Sequence, residues 1–93
     1  MVIGLLTLDV HFPGARSLKD KRQVLRSLMA RVRKRFNVSL AEVDHQELWQ
    51  RAQIAVVGVN TDQAHLDSTL DKILEEACGT PALEVVGVEK EWL

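Results

Sequence analysis

The spacing of apolar residues switches back and forth between a repeat of two and the helical repeat, and the order of those switches constrains the fold more than any single motif. In "VIGLLTLDVHF" Gly4, Leu6, Leu8, Val10 and Phe12 fall on one side of a two-residue alternation, and Thr7, Asp9 and His11 on the other. This is a strand with one buried face. "PGA" breaks it, and Ser17 followed by Asp20 makes a capping-box-like helix start. From Leu18 the apolar residues Val24, Leu25, Leu28, Met29, Val32 and Phe36 recur at helical spacing, predicting a helix over about 18–36 that Asn37 can end. "VSLAEVDH" and "IAVVGVN", the latter preceded by "WQRAQ", read as two strands joined by a tight "HQEL" connection, hence a hairpin. Asn60, Thr61 and Asp62 offer caps for a second helix with a Leu66, Leu70, Ile73, Leu74, Ala77 stripe. "CGTP" stops that helix, and "ALEVVGVEKEWL" is a fourth strand.

The order βαββαβ, with one-sided strands and amphipathic helices, predicts an α+β, ferredoxin-like sandwich: a four-stranded antiparallel sheet with both helices on one face. Right-handed crossovers then bring His11, the helix start Ser17 to Arg22 and the "DHQELW" hairpin to one edge of the sheet.

Ninety-three residues make one domain, 1–93, without linker, repeat or low-complexity segment. No apolar run approaches the roughly 20 residues that span a bilayer. "MVIGLLTLDV" lacks a basic leader and a small-residue cleavage motif, so the expectation is a cytoplasmic protein with no membrane partner. Cys78 is the sole cysteine, which leaves no internal disulfide or cysteine cluster, and a buried inert thiol is expected.

The formal net charge is −1, but residues 1–36 carry +7 and residues 62–93 carry −6. Much of the positive end is "KDKRQVLRSLMARVRKRF". At ~100° per residue Lys19, Arg22, Arg26 and Arg33 fall within about a 60° arc beside the apolar stripe. Arg31, Arg33, Lys34 and Arg35 occupy the last turns, where cations stabilise a helix without needing a ligand. An acidic row of Asp67, Asp71 and Glu75 on the second helix could face the basic stripe. Neither explanation covers Lys19, Lys21 and Arg22, since cations in a first turn oppose the helix dipole. Lys21 also points close to the Leu25, Leu28, Val32 side, so its head must snorkel or find a partner. A helix start with free N–H groups beside Arg16, Lys19, Lys21 and Arg22 is a candidate phosphate site, to be weighed against a local ion pair with Asp44 or Glu47.

The third strand, "RAQIAVVGV", has no aromatic residue with which to stack bases as an RNA-recognition motif does, and the chain holds no Tyr, two Phe and two Trp, so any RNA binding is led by phosphate contacts and sensitive to salt. A second constellation, "VDHQELWQR", places Asp44, His45 and Glu47 near His11, a candidate ligand or acid–base edge. Its bland alternative is a turn fixed by Asp44 with Trp49 packed over the sheet edge. No phosphate loop, dinucleotide fingerprint or nucleophile motif is present, His65 sits on the polar flank of the second helix, and no cofactor or metal is expected.

Residues 17–59, "SLKDKRQVLRSLMARVRKRFNVSLAEVDHQELWQRAQIAVVGV", resemble the YlxP-like family of small bacterial proteins, a domain of unknown function. The resemblance implies a ferredoxin-like fold and a link with translation or ribosome assembly, because relatives are encoded beside transcription and translation factors. It brings no catalytic residue. The leading expectation is a non-enzymatic accessory protein binding small-subunit ribosomal RNA or its precursor through Arg16, Lys19, Lys21, Arg22, Arg26 and Arg33. The alternatives are a small metal- or ligand-binding protein or enzyme using His11, Asp44, His45 and Glu47, and a homodimer or other structural module built on an edge strand.

Overall fold

The computed structural model describes residues 1–93 as β1 (Val2–His11), α1 (Leu18–Arg35), β2 (Ser39–Asp44), β3 (Arg51–Asn60), α2 (Gln63–Cys78) and β4 (Glu84–Trp92). The four strands form one antiparallel sheet in the order β2-β3-β1-β4, leaving β2 and β4 at the edges. This is the ferredoxin-like arrangement that the periodicity predicts.

The core follows the stripes. Leu6, Leu8, Val10 and Phe12 from β1 and its exit, and Ala52, Ile54 and Val56 from β3, meet Leu25, Leu28 and Val32 of α1 and Leu66, Leu70, Ile73 and Ala77 of α2. Glycine lets α2 approach closely: a methyl group on Gly58 would stand 2.7 Å from Leu66, and one on Gly4 would stand 3.1 Å from Leu70. Register places Ile3, Leu5, Thr7, Asp9 and His11 on the opposite, open face with Val57, Val59 and, on β4, Glu84, Glu89 and Glu91. None of the four aromatic residues lies there, and its β4 side is acidic. The face that an RNA-recognition motif uses therefore offers no stacking ring here.

The ends of α1 differ in part from expectation. Ser17 caps the helix, its Oγ accepting from the Asp20 N–H at 3.1 Å, as the capping pattern predicts. Asp20 answers by accepting from the Arg16 N–H at 3.0 Å. At the other end the cap is Phe36 in extended backbone, not Asn37, and its N–H donates to the Val32 carbonyl. The hairpin connection is a six-residue loop, 45–50, longer than the tight "HQEL" turn. Cys78 is exposed, a correction to the buried thiol. It follows Ala77 by one position, and that rotation of ~100° carries it off the buried stripe.

The acidic row on α2 does not meet the basic stripe of α1. Lys90 reaches up from β4 and donates to Asp67 and Asp71, each at 2.6 Å. Hydrogen bonds to Asp67 and then Asp71 raise the Lys90 pKa above its ordinary 10.5, outweighing partial desolvation. Because the folded state favours the ammonium, its stabilising effect is complete below 10.5 and is lost as pH rises through the higher folded value. Lys90→Met is therefore expected to destabilise the protein by about 1 kcal/mol at neutral pH. Thermal melts should show the gap from wild type closing only at strongly alkaline pH.

Candidate nucleic-acid interface

The α1 helix divides its cations among three roles. Arg31 and Arg35, in the last turns, converge on Glu76 of α2 at 3.0 and 2.7 Å, and Arg31 also donates to Ser27 and Thr80. These cations complement the helix dipole and join the two helices.

Lys21 takes the second role and overturns its assignment to an anion-binding surface. Its side chain is wholly buried. The Nζ donates to Glu42 Oε2 at 2.9 Å and to the main-chain carbonyls of His45 (2.9 Å), Arg51 (3.1 Å) and Gln46 (3.4 Å). The position that sequence geometry turns towards the core holds a lysine because the loop beneath it supplies the acceptors. The partner is Glu42, not Asp44 or Glu47, because Glu42 shares the helix-facing side of β2 with Leu40. An ammonium with four acceptors and no access to water has nothing left for an external phosphate.

The helix start is engaged in part. Asp20 places its own carboxylate at the first turn and accepts the Arg16 N–H, while Ser17 satisfies the Asp20 N–H. The Asp20 carboxylate therefore competes with an external anion for the positive end of the helix.

The third role falls to Arg16, Lys19, Arg22 and Arg26, which are exposed and pair with no carboxylate. Arg33, further along the same flank, is exposed and donates to the Leu40 carbonyl of β2 at 3.1 Å. That contact fixes the direction of the flank. With Arg33 beside the start of β2 and Lys21 beside its end, the helix runs antiparallel to the edge strand. Lys19, Arg22, Arg26 and Arg33 therefore form a cationic strip along β2, roughly 21 Å long at 1.5 Å per residue.

His11, Asp44, His45 and Glu47 do not assemble. The His11 Nδ1 lies 3.8 Å from Glu84 on β4, away from the loop. The His45 Nδ1 lies 3.8 Å from its neighbour Asp44, whose Oδ1 accepts the His45 N–H at 2.7 Å. His45 adopts a positive φ of 64°, the left-handed conformation of a turn residue. No group of three His, Cys, Asp or Glu residues is placed to hold a metal ion.

The loop itself does sit where the topology places it. The Phe12 N–H donates to the Gln50 carbonyl at 2.8 Å, and Gln50 Nε2 reaches the Ala15 carbonyl at 3.4 Å. Trp49 does not pack over the sheet edge: it is 52% exposed, with Leu48 beside it at 47%. No helix is long and apolar enough to cross a membrane.

Comparison with known proteins gives a relative of matching length. The uncharacterised protein YlxP of Bacillus subtilis (strain 168) is 31% identical over 91 residues, covering 98% of this chain and 99% of that protein. Among solved structures, that of the REP-associated tyrosine transposase bound to a REP hairpin superposes with a TM-score of 0.45 at 15% identity. The alignment covers 98% of this chain but 55% of the transposase, so the chain spans about half its length. A family model described as a protein of unknown function (DUF503) matches residues 3–90, and the chain belongs to that family.

Proposed function

We propose that this protein is a non-enzymatic accessory factor that binds RNA, with the small ribosomal subunit or its precursor as partner, through Arg16, Lys19, Arg22, Arg26 and Arg33. The observation that carries the reading is the strip of exposed cations on α1 with no carboxylate partner. Asp67 and Asp71 of the acidic row that could have neutralised it are engaged by Lys90 instead. Three of these bases stand in or near the first turns, where the dipole disfavours them. Their presence costs the helix a little stability and is accounted for by an external polyanion.

Binding of this kind is driven by counterion release, so its logarithm falls linearly with the logarithm of salt concentration. Sedimentation with purified small subunits across a salt series measures the slope. Reversing Lys19, Arg22 and Arg26 to Glu removes three contacts and is expected to flatten the slope by about 2–3, with the circular dichroism spectrum unchanged because all three are exposed. No binding by the native chain at low salt, or equal binding by the triple variant, would sink the proposal.

A further inference from the structure

Trp49 is a half-exposed indole on a loop that is firmly tied down. The ties are the Lys21 bonds to His45, Gln46 and Arg51, the Leu48 N–H donating to the His45 carbonyl at 3.0 Å, and the two bonds from Phe12 and Gln50. Burying a lysine is an expensive way to hold a turn unless the turn has to present something in one geometry. The exposed Leu48–Trp49 pair is the apolar surface presented. The first turns of α1 carry both Lys21, which clamps this loop, and, on the exposed flank, Lys19 and Arg22.

We infer that Trp49 is a stacking platform for an unpaired base, and that the RNA recognised is single-stranded, its phosphates following Lys19, Arg22 and Arg26 along α1 while one base leaves the strand to lie on the indole. This inference rests on the RNA-binding reading and narrows it to a substrate class. A duplex keeps its base faces covered, whereas an exposed ring beside a phosphate-binding strip suits a strand whose bases are free. The exposed carboxylates of Asp44, at the end of β2, and Glu47, on the loop, disfavour phosphates beside them and leave the strand's backbone to the cations of α1.

The test compares a short oligoadenylate with an RNA duplex of similar charge, both end-labelled and titrated by fluorescence anisotropy at low salt. Trp49→Ala is expected to weaken oligoadenylate binding by tenfold or more and to leave duplex binding unchanged. Trp49→Phe should restore most of the loss. In a Trp92→Phe background, where Trp49 is the only indole, the oligoadenylate should quench its emission. Unchanged oligoadenylate affinity in Trp49→Ala, with binding still abolished by the Lys19, Arg22 and Arg26 reversals, overturns the stacking platform and keeps the phosphate strip. Equal weakening of both RNAs by Trp49→Ala also overturns it. Failure of both RNAs to bind the native chain overturns both readings together.

Discussion

Replacing Lys21 with Met is expected to lower the unfolding free energy by about 3–5 kcal/mol, the range for removing one member of a buried ion pair. The variant leaves Glu42, only 17% exposed, without its counter-charge, and strips a donor from the carbonyls of His45, Gln46 and Arg51. In a domain of this size each kcal/mol moves the melting temperature by roughly 4–8 °C, so calorimetry should record a drop of roughly 12 °C or more. Glu42→Gln should cost about 3 kcal/mol, at the low end of the same range, because the buried ammonium loses its counter-charge while the amide oxygen and the carbonyls still accept from Nζ. The double variant Lys21→Met with Glu42→Leu removes the stranded charge but not the stranded carbonyls, and should recover part of the loss. A loss under 1 kcal/mol for Lys21→Met would show that water can replace the ammonium, contrary to its complete burial. Hydrogen exchange at Leu48 should report the loosened loop in the same variant.

Leu70→Ala is the second large effect, expected at about 3–4 kcal/mol. Leu70 is fully buried at the centre of the α2 stripe, and one of its methyl groups lies over Gly4. The spread for such truncations reflects how well the site can collapse. Here the opposing residue has no side chain to move inwards, and the sheet behind it is fixed by pairing on both sides of β1. Urea titration should show a lower midpoint with an unchanged slope, the mark of a stability change without a change in the unfolded ensemble. A loss below 2 kcal/mol would mean that Leu66 and Ile73 close the cavity.

Both effects bear on what could be read in advance. The six elements and the buried faces of β1, β3 and α2 were legible because each is written as a period, and the period sets which side chains turn inwards. Cys78 was misread because composition gives a prior for a thiol, whereas its rotation past Ala77 decides its exposure. The site was legible only in part. Helical angle already points Lys21 towards the core, but its acceptors are mostly main-chain carbonyls, those of His45, Gln46 and Arg51, and carbonyls leave no trace in a sequence. The acidic row on α2 was visible as a row. That it faces Lys90 and not α1 depends on which strand lies beneath α2, and charge spacing does not carry that information. Packing of Trp49 over the sheet edge is what the usual burial of aromatic area suggests as the alternative to a ligand edge; the ring is instead half exposed.

The way Lys21 holds the 45–50 loop has a bearing on how such a loop can vary. Three of the four groups that receive the ammonium belong to the main chain and would be offered by any residue type. The tether therefore reads the path of the backbone and is indifferent to the letters along it. Gln46, Glu47, Leu48 and Trp49 can be exchanged while the turn keeps its form, whereas deleting a single residue would draw a carbonyl out of reach by about one residue rise, roughly 3.4 Å. The loop is in effect a display frame of fixed length and changeable content.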